Sequence, residues 1–217
     1  NRRIIGLKGG SLSGIDFKRF NIKDDKSFKK KYQKNGLKYI YIGRINKDKG
    51  IYDLIKIIPN HLKEFKKDTF KIIGPCEDLE IYKILKDFKN KWPKNIFLKG
   101  FTNSPEKYLK DSDILILPSR REGFCNTIIE AGACGLPTIA YEIYGVKNAI
   151  KKNMTGLLAK PFCIEEFTKL MKKCSKNKKL VASLSKEAIT YSKNFNHKNR
   201  TKIFFQTILE NTKLNCI

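Results

Sequence analysis

Six short apolar runs recur along the chain, at residues 37–43, 69–73, 96–98, 113–117, 137–141 and 156–158. Between them lie stretches with helical periodicity. The runs are continuously apolar rather than alternating, so they suit strands buried on both faces, as in a parallel sheet covered by helices. Residues 51–66 carry Leu54, Ile55, Ile58, Leu62 and Phe65 at helical spacing, with Pro59 expected to kink them. Further helices are expected at 79–91, 126–134, 146–151, 164–174, 177–193 and 197–213, and Ser104 is expected to cap a short one that Pro105 opens. This order predicts an α/β fold. It is a Rossmann-like, doubly wound parallel sheet of about six strands with helices on both faces and an all-helical C-terminal end.

The ends of the chain read differently. Ile4-Ile5-Gly6-Leu7 has a strand pattern, and Gly9-Gly10-Ser11-Leu12-Ser13-Gly14 has the composition of a linker. Residues 1–20 are therefore expected to be the remnant of a preceding domain and its linker. Residues 21–196 form the Rossmann-like domain, opening on a charged stretch with a short helix at 26–33. Residues 197–217 form a last helix that packs back toward the preceding domain. Asn1 stands where Met would, with no signal-peptide pattern, so a start inside a longer protein is expected. No apolar run approaches the roughly 18 residues of a membrane-spanning helix.

The formal charge is +25, from 46 Lys and Arg against 21 Asp and Glu. Lys is spread along the whole chain, whereas Arg is confined to Arg2, Arg3, Arg19, Arg44, Arg120, Arg121 and Arg200. A lysine-biased solvated surface accounts for this pattern. Attraction to an anionic membrane face is the functional alternative. The cysteines Cys76, Cys125, Cys134, Cys163, Cys174 and Cys216 show no CxxC spacing and read as reduced, buried thiols. His61 and His197 lie far apart, which argues against a zinc site or a Cys-His nucleophile pair.

In an open parallel sheet, ligands bind beyond the carboxyl ends of the strands. After the first strand comes Gly43-Arg44-Ile45-Asn46-Lys47-Asp48-Lys49-Gly50. Its Arg and Lys can converge on a diphosphate, one as a planar fork and the other as a point charge. Gly74-Pro75 and Gly100-Phe101-Thr102, after the second and third strands, leave room for a flat base or a ribose. After the fourth strand, Glu122 and Glu130 stand with seven residues between them. The amides of Gly123, Phe124, Cys125 and Asn126 would be unpaired at a helix start and could donate to hydroxyls and phosphates. If mostly helical, the step between the glutamates is about 12 Å, a span suited to a sugar–diphosphate–ribose ligand. Glu130, among Ile128, Ile129, Ala131, Ala133 and Cys134, needs a partner or a ligand. Asp111-Ser112-Asp113 matches a metal–diphosphate pattern but precedes its strand. It is read as a helix end and strand start, with no metal.

Taken together, these residues resemble the C-terminal domain of a family 4 retaining glycosyltransferase of the GT-B fold, in which two Rossmann-like domains face across a cleft. The resemblance spans about residues 37–210 and includes Gly135-Leu136-Pro137-Thr138 and Thr155-Gly156-Leu157-Leu158. Gly10 to Phe20 is similar to the family's interdomain linker. The resemblance implies that Arg44 and Lys49 bind the donor diphosphate. Glu122 would hold donor-sugar hydroxyls with the amides of Gly123 and Phe124, and these three charged groups form the catalytic set. The amides near Asn126 and Thr127 would touch phosphate and Glu130 the ribose, with Gly43, Gly74, Pro75, Phe101, Thr102 and Cys125 completing the donor site. It further implies a UDP-sugar donor first and a GDP-sugar second, no metal and no cofactor. The acceptor would be a glycan or lipid-linked glycan of a bacterial surface polysaccharide, and the location the cytoplasm, with peripheral contact at the inner membrane face. Cys125 departs from the small residue, often Gly or Pro, that is common there. The domain that supplies the acceptor site is not in this sequence, so the fragment alone is expected to transfer little. Two other readings are a GT-B nucleotide-sugar enzyme such as a 2-epimerase, and a basic nucleic-acid-binding Rossmann-like domain. The His-poor crevice argues against the first, and the second would call for clustered Arg and exposed aromatics on one face.

Overall fold

The computed structural model describes residues 14–22 and 36–197, together with 201–202 and 205–206. The strand pattern at 4–7, the start of the linker, the helix at 26–33 and Cys216 lie outside these residues. Of the expected last helix, the described residues His197, Thr201, Lys202, Phe205 and Gln206 are helical.

Six parallel strands form one sheet: β1 (Lys38–Ile42), β2 (Thr69–Ile73), β3 (Ile96–Lys99), β4 (Ile114–Leu117), β5 (Thr138–Tyr141) and β6 (Gly156–Ala159). Their spatial order is β3-β2-β1-β4-β5-β6. The order reverses between β1 and β4, the point at which a doubly wound sheet opens a crevice at its carboxyl edge. The connecting helices are α1 (Ile51–Leu62), α2 (Leu79–Lys91), α3 (Pro105–Lys110), α4 (Asn126–Ala133) and α5 (Tyr144–Lys147), followed by α6 (Ile164–Lys176) and α7 (Lys178–Ser192).

Alternate strand residues divide between two cores, as the two-residue period of a strand requires. Tyr39, Tyr41, Phe70, Ile72, Ile116 and Tyr141 pack under α1, α2 and α6. Ile40, Ile42, Ile73, Leu115, Leu117 and Ala140 pack on the other face, under α3 and α4. The segment 14–22 joins this second face. Ile15 pairs with Asn196 and donates its amide to the Phe195 carbonyl at 2.8 Å, and Phe20 is buried.

Several local expectations shift. α1 runs through Pro59 as one element and ends at Leu62 rather than at 66. Pro59 has no amide to donate to the Ile55 carbonyl, and α1 ends within one turn of it. Ser104 makes no capping hydrogen bond with its side chain, and its amide is instead taken by Thr102 Oγ1 at 3.1 Å. The helix expected at 146–151 begins two residues earlier, at Tyr144, and lasts one turn. Asp111 and Asp113 sit at the amino edge of the sheet, as expected. Asp111 pairs with Lys38 and Lys71 at 2.7 and 2.6 Å, and Asp113 accepts the Lys38 amide at 2.8 Å. Cys125, Cys134 and Cys174 are buried, but Cys76 and Cys163 are only half-buried, so the expectation of uniformly buried thiols does not hold.

Candidate functional site

The site is built from two loops at the β1–β4 crossover. The first runs from Gly43 to Gly50. Gly74 abuts the Gly43 carbonyl so closely that a Cβ on Gly74 would overlap it, which fixes the carboxyl ends of β1 and β2 against each other. Asn46 then caps a 3-10 turn over Lys47–Lys49 by accepting the Lys49 amide at 3.0 Å. Gly50 closes the turn in the left-handed region, with φ 74°, pressed on the Pro118 carbonyl. This turn aims Lys49 Nζ at Glu122 Oε1, 2.8 Å away, in a pair whose side chains are 21% and 8% exposed.

The second loop, from Pro118 to Cys125, is fixed to the first. The Arg120 amide donates to the Asp48 carbonyl at 2.8 Å. The Arg120 guanidinium donates to both oxygens of buried Asp53, at 2.8 and 3.0 Å, and Tyr141 Oη donates to the same carboxylate at 3.2 Å. Arg120 also lies over the Phe162 ring, 4.9 Å from its centroid. Behind the loop, Gly145 touches the carbonyls of Glu122 and Gly123, where any Cβ would collide. Cys125 stands at the N-cap of α4, where a Ser, Thr, Asp or Asn oxygen would take up the first amides. No side chain caps the helix start, and the positive end of its dipole lies beside the crevice.

These loops enclose a cavity of about 170 Å³ lined by Gly43, Lys49, Glu122, Phe124, Asn126 and Thr127, with Cys125 among them. Gly123 is open at its rim. A neighbouring hollow of about 310 Å³ lies at the ends of β2 and β3, bounded by Gly74, Gly100, Ile45 and Lys86 among others. Burial, reinforced by the charge of Glu122, pushes the Cys125 thiol up to about 12. That thiol stays protonated near neutral pH and is no nucleophile. The same two causes raise the Tyr41 hydroxyl, which donates to the Arg44 carbonyl at 2.6 Å.

Not every expected residue converges on this cavity. The Arg44 side chain is exposed, Phe101 is 67% exposed, and Pro75 and Thr102 are half-buried outside the lining. Residues 122–125 are not helical, so Glu130 lies on the second turn of α4 and the helical span of about 12 Å does not apply. Glu130 is half-buried, and burial raises its carboxyl above the usual range; Arg19 opposes that rise and Glu106 adds to it. Among the described residues no group of His, Cys, Asp or Glu is placed to hold a metal ion.

The sequence reading missed Asp53, Arg120, Tyr141 and Arg19. Asp53 did carry a signal, because it sits between Ile51 and Leu54 on the apolar face of a helix and so needs a partner.

The chain resembles known proteins in sequence and in fold. The family model "Glycosyl transferases group 1" matches residues 22–191. A capsular polysaccharide biosynthesis glycosyltransferase of Staphylococcus aureus, CapM, is 29% identical over 164 residues, covering 72% of this chain and 42% of that protein. Anabaena Alr3699/HepE, solved with UDP and glucose, superposes with a TM-score of 0.77 at 18% identity, covering 91% of this chain and 55% of that one. The C-terminal domain of the group 1 glycosyl transferase LpcC of Francisella tularensis gives a TM-score of 0.68 at 20% identity. It covers 82% of this chain and 95% of that domain. At these identities the two structures speak to the fold. The chain spans under half the length of CapM. With the family model covering the whole sheet and both site loops, the chain belongs to the group 1 glycosyl transferases, the family 4 enzymes of GT-B fold.

Proposed function

We propose that this chain is the donor-binding half of a retaining glycosyltransferase that takes a nucleoside-diphosphate sugar, with uridine the first choice of base and guanosine the second. The observation that carries this reading is the Lys49–Glu122 pair beside the uncapped start of α4, at the crossover of the sheet. One cation, the first residues of α4 and a carboxylate able to accept sugar hydroxyls line one cavity. Alr3699/HepE, with UDP and glucose in its crystal, and CapM, named for capsular polysaccharide biosynthesis, favour the same donor and product class.

In this reading Lys49 and the first amides of α4 hold the diphosphate, and Arg44 swings onto it from its exposed position. Glu122 and the amides of Gly123 and Phe124 hold the sugar. The bond between C1 and the phosphate oxygen breaks as the acceptor oxygen bonds to C1 on the same face. The acceptor proton passes to the departing phosphate oxygen. Charge developing on the diphosphate meets donors already in place, so little reorganisation is needed. The acceptor is a glycan or lipid-linked glycan of a bacterial surface polysaccharide, reached in the whole protein across the cleft from the other domain. The reaction runs in the cytoplasm, with the lysine-rich surface drawn to the inner membrane face.

Calorimetric titration of UDP, GDP and their sugars tests this assignment. Diphosphonucleotide binding by the parent, weakened in Arg44→Ala and Glu130→Ala, is expected. A parent that binds none, or variants that bind as the parent does, would overturn it.

A further inference from the structure

β3 is the outermost strand on one side of the described sheet, and α2 packs along it. Residues 81–101, which make up this edge, carry six lysines, Lys83, Lys86, Lys89, Lys91, Lys94 and Lys99, against one acid, Asp87. None of the six forms an ion pair with another described residue. Three aromatic rings stand exposed among them: Tyr82 at 46%, Phe97 at 48% and Phe101 at 67%. Ile96 and Leu98 turn into the core under α2, so the strand period sends Phe97 to the opposite face. Tyr82, Lys86, Lys89 and Lys99 share the 310 Å³ hollow with Leu85 and Leu98, and Phe101 follows Gly100 at its margin. Leu79, also exposed, stands between Asp78 and Glu80 and belongs to the acidic start of α2. Residues 169–179, on α6 and α7, hold six lysines as well, but those two helices expose no large apolar side chain. Charge and exposed rings coincide on the β3–α2 edge.

We propose that the β3–α2 edge is the surface by which this domain docks on an anionic lipid bilayer. Stable attachment without a membrane-spanning helix takes two signals, apolar insertion and a cluster of basic groups, and this edge supplies both. The rings reach the headgroup level, where aromatic side chains settle. The lysines lay their aliphatic stems on the same zone and bring their ammonium groups to lipid phosphates. Nucleic acid fits the edge less well, because residues 81–101 contain no Arg to stack on bases or fork onto phosphates. The orientation has a use. β3 is two strands from β1, so at about 4.8 Å per strand the crevice at the β1–β4 crossover opens roughly 10 Å from the bilayer. A sugar carried on a lipid in that bilayer lies within reach of it. That use rests on the donor-site reading above, with its lipid-linked acceptor, whereas the docking itself does not.

Trp92, the one tryptophan of the chain, follows Lys91 on this edge and is half-buried, so it reports which face meets the lipid. The test mixes the chain with phosphatidylglycerol vesicles at low salt, with and without brominated acyl chains. The parent is expected to sediment with the vesicles and to lose Trp92 emission to the bromine. Lys86→Gln/Lys89→Gln/Lys99→Gln is expected to bind at least tenfold more weakly, since each lysine near the surface accounts for about fivefold. Tyr82→Ser/Phe97→Ser is expected to lose about tenfold. Lys169→Gln/Lys173→Gln/Lys179→Gln has the same net charge as the first variant and is expected to stay within about threefold of the parent. Equal losses in the two lysine variants, a sedimenting chain whose Trp92 ignores brominated lipid, or a parent that stays in solution overturns the proposal. Edge variants that bind vesicles like the parent but a single-stranded oligonucleotide more weakly assign the edge to nucleic acid and overturn it too. Calorimetry with UDP reads the donor site separately. A parent that docks by this edge and binds no UDP overturns the donor reading and leaves the docking surface standing.

Discussion

Lys49 carries the sharpest prediction of any single residue. Its ammonium is held 2.8 Å from Glu122 in a pocket that excludes most solvent. In the proposed reading, Lys49→Ala removes the cation that would meet the diphosphate and leaves Glu122 without its partner. A hydrogen bond to a charged group contributes about 1.5–3 kcal/mol, so UDP affinity should fall about tenfold to a hundredfold in calorimetry. A Lys49→Ala chain that binds UDP as tightly as the parent would remove this residue from the site. The pairing itself was within reach of the sequence, because both residues follow apolar strands and precede helices. The Arg44 position was less so. The sequence placed it in the right loop, but side-chain direction depends on the turn that follows, and that turn aims Lys49 inward while Arg44 stays in solvent.

At the scale of elements, the site depends on how α1, the β4–α4 loop and the end of β5 are tied together. Asp53 is the common knot. It accepts two bonds from Arg120 and one from Tyr141. Asp53→Asn leaves the cavity lining untouched but halves the acceptor capacity of the knot and removes its charge. Stability in urea should drop by about 1–3 kcal/mol, and amide exchange across residues 119–124 should quicken. Unchanged exchange there would show that the loop holds without this contact. None of this could be read along the chain, because the partners are 67 and 88 residues apart and meet only after the sheet has closed. The six strands and the main helices were legible, since burial on both faces forces unbroken apolar runs. Helix ends were less so. The short α5 starts at Tyr144, and its Gly145 presses on the Glu122–Gly123 backbone, a tertiary contact with no local signature.

At the scale of the whole molecule, the excess of 25 positive charges is the dominant property. Among the described residues no helix is long and apolar enough to cross a membrane. Each lysine close to an anionic bilayer contributes about 1 kcal/mol, and that attraction fades within a Debye length of roughly 10 Å at 0.1 M salt. The chain should therefore co-sediment with vesicles of phosphatidylglycerol at low ionic strength, stay in solution with neutral vesicles, and come off the anionic ones near 0.5 M salt. A chain that ignores anionic vesicles at low salt would show that its lysines are a matter of composition alone.

The glycine contacts at the crevice have a consequence for how such a domain can diversify. At Gly50, Gly74 and Gly145 main chain meets main chain, with no side chain between that a mutation could trim or reshape. Those positions admit one residue, and the frame they hold is closed to gradual change. Gly123 and Arg121 are exposed on the second loop, and Tyr144, at the start of α5, is 85% exposed. Variation can accumulate there without disturbing the frame. A lineage built on this domain can therefore vary the rim of the cavity while inheriting its frame unaltered.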